Sequence, residues 1–160
     1  MKKLVLTVLL MLPVLSLGFS RSSQKTDLNT LLSAPEVVEI GGQKLKMETY
    51  LWRDFMPMSP PDGKPLKASV AILPLDGKPI AADLDAVRIW VIKDKEIWQE
   101  QLQGVGRNLP ARGQLRFEKM ADNGPKWETG IAVTVVVELR DQFGKKWLLK
   151  APDQKINRTE

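Results

Sequence analysis

Neither cysteine nor histidine occurs anywhere in the 160 residues. Without them, Ser-His-Asp and Cys-His nucleophiles cannot be assembled, and zinc sites built on imidazole or thiolate are impossible. Blue-copper centres, c-type haem attachment and thiol redox chemistry fall with them. No disulfide can staple the fold, so the core must be large enough to hold itself together. The chain also lacks any long stretch of helical period, and any apolar run approaching the roughly 20 residues that cross a bilayer. Enzymatic chemistry is left with carboxylates, a Ser-Lys dyad or the single tyrosine.

What is present begins with Met1-Lys2-Lys3, then an apolar stretch over residues 4–17 broken by Thr7, Pro13 and Ser16, then Gly18-Phe19-Ser20. A short basic head, an apolar segment and small residues beyond it have the layout of a secretory signal. The lysines stay on the cytoplasmic side while the apolar segment enters the bilayer. Small residues stand three and one before a cut after Gly18 or after Ser20, so cleavage is expected at one of these. No cysteine follows the apolar segment, which excludes the lipid attachment of a bacterial lipoprotein. The expectation is a bacterial protein, periplasmic or extracellular, with no membrane anchor after cleavage. Without residues 1–20 the chain is 140 residues long, the size of one domain. A domain of that size buries roughly two thirds of its unfolded surface. Loss of Lys2 and Lys3 leaves 22 of the 24 basic residues against 19 acidic ones, a net charge of +3. The basic residues are scattered, with Lys145-Lys146 the one adjacent pair after the signal. Nucleic-acid binders instead show a basic stripe interleaved with aromatics, so no nucleic-acid partner is expected.

The chain divides into a signal over residues 1–20, a polar spacer over 21–35, a β domain over 36–152 and a short tail over 153–160. Within the spacer, Leu28, Leu31 and Leu32 at i, i+3, i+4 permit one helical turn capped by Asp27. Residues 36–40 are β-branched and lead into a Gly41-Gly42 turn. Residues 44–52 alternate, with Leu45, Met47, Thr49 and Leu51 on one face and Lys44, Lys46 and Glu48 on the other, the period of a half-buried strand. A proline-rich segment follows, with Pro57, Pro60, Pro61 and Pro65, none able to donate to a ladder. Strand character resumes over 66–73. Residues 87–92 and 97–102 form a hairpin, residues 114–119 a short strand, and residues 122–125 another turn.

The best-determined piece is the last hairpin. Ile131, Val133, Val135, Val137 and Leu139 share one face. A three-residue loop, Gln142-Phe143-Gly144 with Gly144 left-handed, would place Leu139 opposite Trp147, Val137 opposite Leu149 and Val135 opposite Ala151. A slip of one residue would set the valines against Lys146, Leu148 and Lys150, so the register is specified. Short strands with turn signals every 8–12 residues predict an all-β antiparallel β-sandwich of about 7–9 strands, with a small barrel as the runner-up. The closing pattern runs from Gly130 through the valines to Glu138-Leu139-Arg140-Asp141, then Phe143-Gly144 and Trp147-Leu148-Leu149. It resembles the last two strands of bacterial immunoglobulin-like or fibronectin-like domains. The resemblance covers about 25 residues, implies fold alone and carries no functional residues.

Candidate chemistries are few. Asp83 and Asp85 could serve as paired carboxylates for glycoside hydrolysis, or hold calcium with Asp62 or Asp76, though two acids beside a turn suit a solvated loop. A Ser59-Lys64 dyad would need a desolvated lysine. Met56 and Met58, with Met47, form a soft-ligand set suited to Cu(I), but Met47 falls on the inward face of its strand. No catalytic residue, metal or cofactor is therefore expected. Five tryptophans are many for so short a domain. Trp147 and one of Trp90 and Trp98 belong to the core, whereas Trp52 lies on the outward face and leads into the proline loop. Trp52, Arg53, Phe55 and Met58 are of the types enriched at interfaces. They form the candidate recognition surface of a non-enzymatic module that binds a protein or envelope component. The rival reading is a small-ligand or metal carrier.

Overall fold

Strand-forming alternation dominates the computed structural model, which describes residues 26–105 and 110–160. The expected signal over residues 1–20 lies outside the described residues. One short helix, α1 (Leu28–Leu32), precedes nine strands: β1 (Val38–Ile40), β2 (Gln43–Asp54), β3 (Leu66–Pro74), β4 (Leu84–Lys93), β5 (Glu96–Gln101), β6 (Gln103–Gly104), β7 (Phe117–Gly124), β8 (Ala132–Asp141) and β9 (Lys146–Thr159). All hydrogen-bond into a single sheet in the order β5-β4-β8-β9-β2-β3-β7-β6, with β1 beside β2. The sheet curls until β5 meets β7, giving an almost closed barrel.

The all-β class and the strand number agree with the sequence. The layering differs from a purely antiparallel sandwich, because β9 runs antiparallel to β8 and then parallel to β2. A bulge makes this possible. Asp153 takes a left-handed φ of 55°, and the β8–β9 register shifts between Val133 and Val135. Leu149 and Ala151 face the core before the bulge and Ile156 after it, so the alternation changes phase. That phase change is why residues 153–160 read as a tail when β9 continues to Thr159, its last four residues pairing with β2.

The last hairpin has the register its residues specify: Leu139 opposite Trp147, Val137 opposite Leu149 and Val135 opposite Ala151. Gly144 is left-handed at φ 83°, where a side chain would be strained. β2 carries Leu45, Met47 and Leu51 inward as its alternation predicts. The turn at residues 122–125 begins later than its residues suggest, since β7 continues to Gly124. A side chain at Gly124 would strike Trp98 and Leu66 at 2.9 Å, so glycine lets β7 pass close to both.

Hydrophobic residues segregate into two clusters. The larger fills the barrel with Leu45, Leu51, Ile72, Ile89, Val135, Val137, Leu149 and others, together with Trp98 and Trp127. The smaller lies outside the barrel, where Leu31 and Ala34 cover Trp90, Ile92 and Val136. Asp27 caps this helix, its carboxylate accepting the Asn29 amide at 3.1 Å, worth typically about 1 kcal/mol. The Lys150 amide donates to Pro35 and its ammonium to Leu32, tying the segment to β9. Part of the expected spacer is therefore the lid of a second core, and Trp90 and Trp98 are both buried, in different clusters.

Candidate recognition surface

β2 ends where the proline-rich loop begins, and the junction positions the candidate residues. Strand alternation sends Arg53 inward at the barrel rim and Tyr50 and Trp52 outward. Arg53 is only 4% exposed. Its Nε donates to the Lys64 carbonyl at 2.9 Å, Nη1 to those of Trp127 at 3.0 Å and Lys126 at 3.3 Å, and Nη2 to that of Asp62. One planar guanidinium thus ties the loop after β2 to the segment after β7, a geometry that suits its rigid fork of donors. Arg53 holds the surface together from beneath; its charged group is not where a partner would meet it.

Phe55 is half-buried beside it, with the Arg53 guanidinium 5.0 Å and that of Arg158 3.8 Å from the ring centroid. Gly63, left-handed at φ 76°, packs against the same ring. A Cβ there would fall 2.6 Å from the Phe55 ring, so only glycine fits. Asp54 closes the loop by accepting the Met56 amide at 2.9 Å and the Lys64 ammonium at 2.9 Å. The Lys64 contact, then the Met56 amide, hold the Asp54 carboxyl below its usual carboxylate range. The Lys126 ammonium does the same for Asp62.

Met58 is the outlier at 94% exposed, and Met56 and Tyr50 are about half exposed. Trp52 is half-buried and stacks obliquely on Tyr50, ring centroids 5.4 Å apart. Lys67 and Asn157 are its neighbours across the adjoining strands. Of the four sequence candidates, Trp52 and Met58 reach the surface, while Arg53 and Phe55 form the clasp beneath. Tyr50 joins the surface without having been singled out. Its outward register in the alternation of β2 was the available signal.

Alternative chemistries find their residues dispersed. Met47 lies inside the barrel whereas Met58 stands outside. The Lys64 ammonium donates to the Asp54 carboxylate at 2.9 Å, so it is engaged by Asp54 and is not a free base for Ser59. Asp62 is at the same end as the clasp, but Asp76, Asp83 and Asp85 are at the other. There Asp83 pairs with Arg112 at 3.6 Å and Asp85 with Lys119 at 2.8 Å, and Asp76 accepts from Gln43. Among the described residues no three acidic side chains gather as a cation would require. That end carries shallow clefts instead. One, of about 380 Å³, lies against Leu84, Phe117 and Lys119; another, of about 360 Å³, lies against Gly41, Ala82 and Trp147.

No protein-family model matches the chain, and no curated protein matches it. Among solved structures, the chain is similar to an X-ray structure of Northeast Structural Genomics Consortium target SoR45. The identity is 13% and the TM-score 0.43, covering 70% of this chain and 85% of that one.

Proposed function

We propose that this chain is an exported, non-enzymatic module that recognises a protein or another component of a bacterial cell envelope. Its contact surface is the loop over residues 55–65 with the outward face of β2. One observation carries the reading: Met58 projects almost fully into solvent from a loop whose base is held by the buried Arg53 fork. The flexible Met58 thioether adapts to varied apolar partners. A loop ordered beforehand by Arg53, Asp54 and four prolines loses less freedom on binding. Tyr50 and Trp52 extend the surface with aromatic area of the kind enriched at interfaces. The basic head and apolar run of residues 1–17 support a periplasmic or extracellular location. The matched hairpin of β8 and β9 supports a likeness, at the level of fold alone, to immunoglobulin-like or fibronectin-like domains.

The test compares envelope components captured by the chain starting at Arg21 with those captured by its Trp52→Ala and Met58→Ala variants. A species retained by the parent and lost by both variants, at unchanged melting temperature, is the expected result. Identical capture by all three overturns the proposal.

A second reading, a small-ligand carrier, is favoured by the cleft beside Trp147, whose volume falls within the usual range of about 300–1,000 Å³ for ligand sites. A ligand that raises the melting temperature of the parent but not of a Trp147→Phe variant would support it.

A further inference from the structure

With no cysteine in the chain, its sulfur is all thioether, and one thioether meets solvent as the others do not. We infer that Met58 is a reversible oxidation site, at which peroxide turns the apolar tip of the loop over residues 55–65 into a polar one. The consequence for binding rests on the contact surface proposed above; the modification does not. Local sequence sets the presentation. Residues 56–59 form a β-turn in which the Ser59 amide donates to the Met56 carbonyl at 2.7 Å. Residues 60–63 form a second, closed by the Gly63 amide on the Pro60 carbonyl at 2.8 Å. Each places a proline second, Pro57 and Pro61, where its fixed φ is already that of the turn. Met58 stands third in the first turn and is 94% exposed, against 49% for Met56 and 8% for Met47 inside the barrel. Met120 is partly buried.

In the reaction a sulfur lone pair attacks one oxygen of hydrogen peroxide, and the S–O bond forms as the O–O bond breaks. The departing hydroxide takes the proton left on the transferred oxygen and leaves as water, so two electrons pass from sulfur to peroxide. Solvent must carry the peroxide in and stabilise the separating charge, which makes a shielded sulfur slow to react. The sulfoxide is polar and chiral. Reductases return it to the thioether by oxidising two thiols to a disulfide, with release of water. Met58 belongs to neither hydrophobic cluster, so its oxidation alters the surface without loosening the fold. Oxidation of Met47 would do the reverse, setting an unpaired dipole inside the barrel core. The difference in exposure therefore separates a switch at Met58 from damage at Met47.

The experiment treats residues 21–160, which keep every described element, with hydrogen peroxide. Peptide mass spectrometry follows Met47, Met56, Met58 and Met120, with fragmentation to separate Met56 from Met58. Met58 should be oxidised first and Met47 last, about tenfold apart, as their exposures are. In the urea-unfolded chain all should react alike. Protein with Met58 converted and Met47 intact should melt like the parent, and a sulfoxide reductase with dithiothreitol should restore its mass. Its capture of the envelope species should fall about tenfold, because the new dipole gives up hydrogen bonds to water in an apolar contact. Met58→Gln, polar without oxidation, should fall likewise, whereas Met58→Leu should bind as the parent does and keep binding after the same treatment. Equal oxidation rates in the folded and unfolded chain, or a lowered melting temperature, overturn the site. Capture that survives complete Met58 oxidation, or is lost equally from Met58→Leu, overturns its control of binding and leaves the contact surface standing. Absence of capture before any treatment refutes the contact surface instead, and the control falls with it.

Discussion

Replacing Arg53 with alanine tests whether one buried guanidinium organises the loop over residues 55–65. The substitution removes the donor to four carbonyls at once, those of Asp62, Lys64, Lys126 and Trp127. The bond to Trp127 is buried, and leaving that oxygen unpaired costs about 1–3 kcal/mol. The other three are partly accessible and can recruit water, so each is worth roughly 0.5–1 kcal/mol. Relief from desolvating the charge offsets part of the sum, leaving about 3–4 kcal/mol. For a domain of this size that lowers the melting temperature by roughly 10–15 °C. It is a large part of a total stability of about 5–15 kcal/mol. Thermal and urea unfolding followed by circular dichroism would measure it, and amide exchange should show residues 55–65 losing protection before the barrel does. Arg53→Lys keeps the charge but not the fork and should recover little. A loss below about 0.5 kcal/mol, the range of ordinary surface substitutions, would refute the clasp.

Three further outcomes are expected. Val137→Asp should abolish folding, because Val137 is fully buried opposite Leu149 and an unpaired buried carboxylate costs several kcal/mol; a cooperative melt like the parent's would refute the register. Gly63→Ala should destabilise the loop by more than about 1 kcal/mol, through a left-handed φ and a clash with Phe55, and an unchanged unfolding midpoint would count against that packing. Asp54 and Asp62 titrate below the usual carboxylate range when folded, so the stability they add is fully present above about pH 4. It is lost as the pH falls through their lowered folded values, and loop protection should be flat from about pH 7 to pH 5 and fall below pH 4. Protection that changed instead between pH 5 and 7 would contradict the assignment.

How much was legible depended on whether neighbouring residues alone imposed the outcome. The absence of histidine and cysteine excluded whole chemistries before any geometry was known. The inward alternation of β2, the Asp27 cap and the Leu139–Trp147 pairing were legible because a period of two and a tight turn act over a few residues. The outward position of Trp52 followed from the same period. The second half of β9 was hidden, because the left-handed Asp153 breaks the period that would have revealed it. Arg53 read as a surface anchor because strand alternation cannot say what stands across the rim. Its carbonyl partners at Lys126 and Trp127 are more than seventy residues away in sequence.

Local periodicity and the inventory of side chains were enough to set the all-β class, the register of the last hairpin and the chemistries barred to the chain. Tertiary structure decided that β9 would leave β8 for β2 and turn two sheets into one nearly closed barrel. It also decided that α1 would seal a second core over Trp90, and that Arg53 would brace the loop on which Met58 is exposed. Each of these depends on groups distant in the chain meeting across the fold. No local pattern encodes such meetings, because their free energy appears only when the whole barrel has formed.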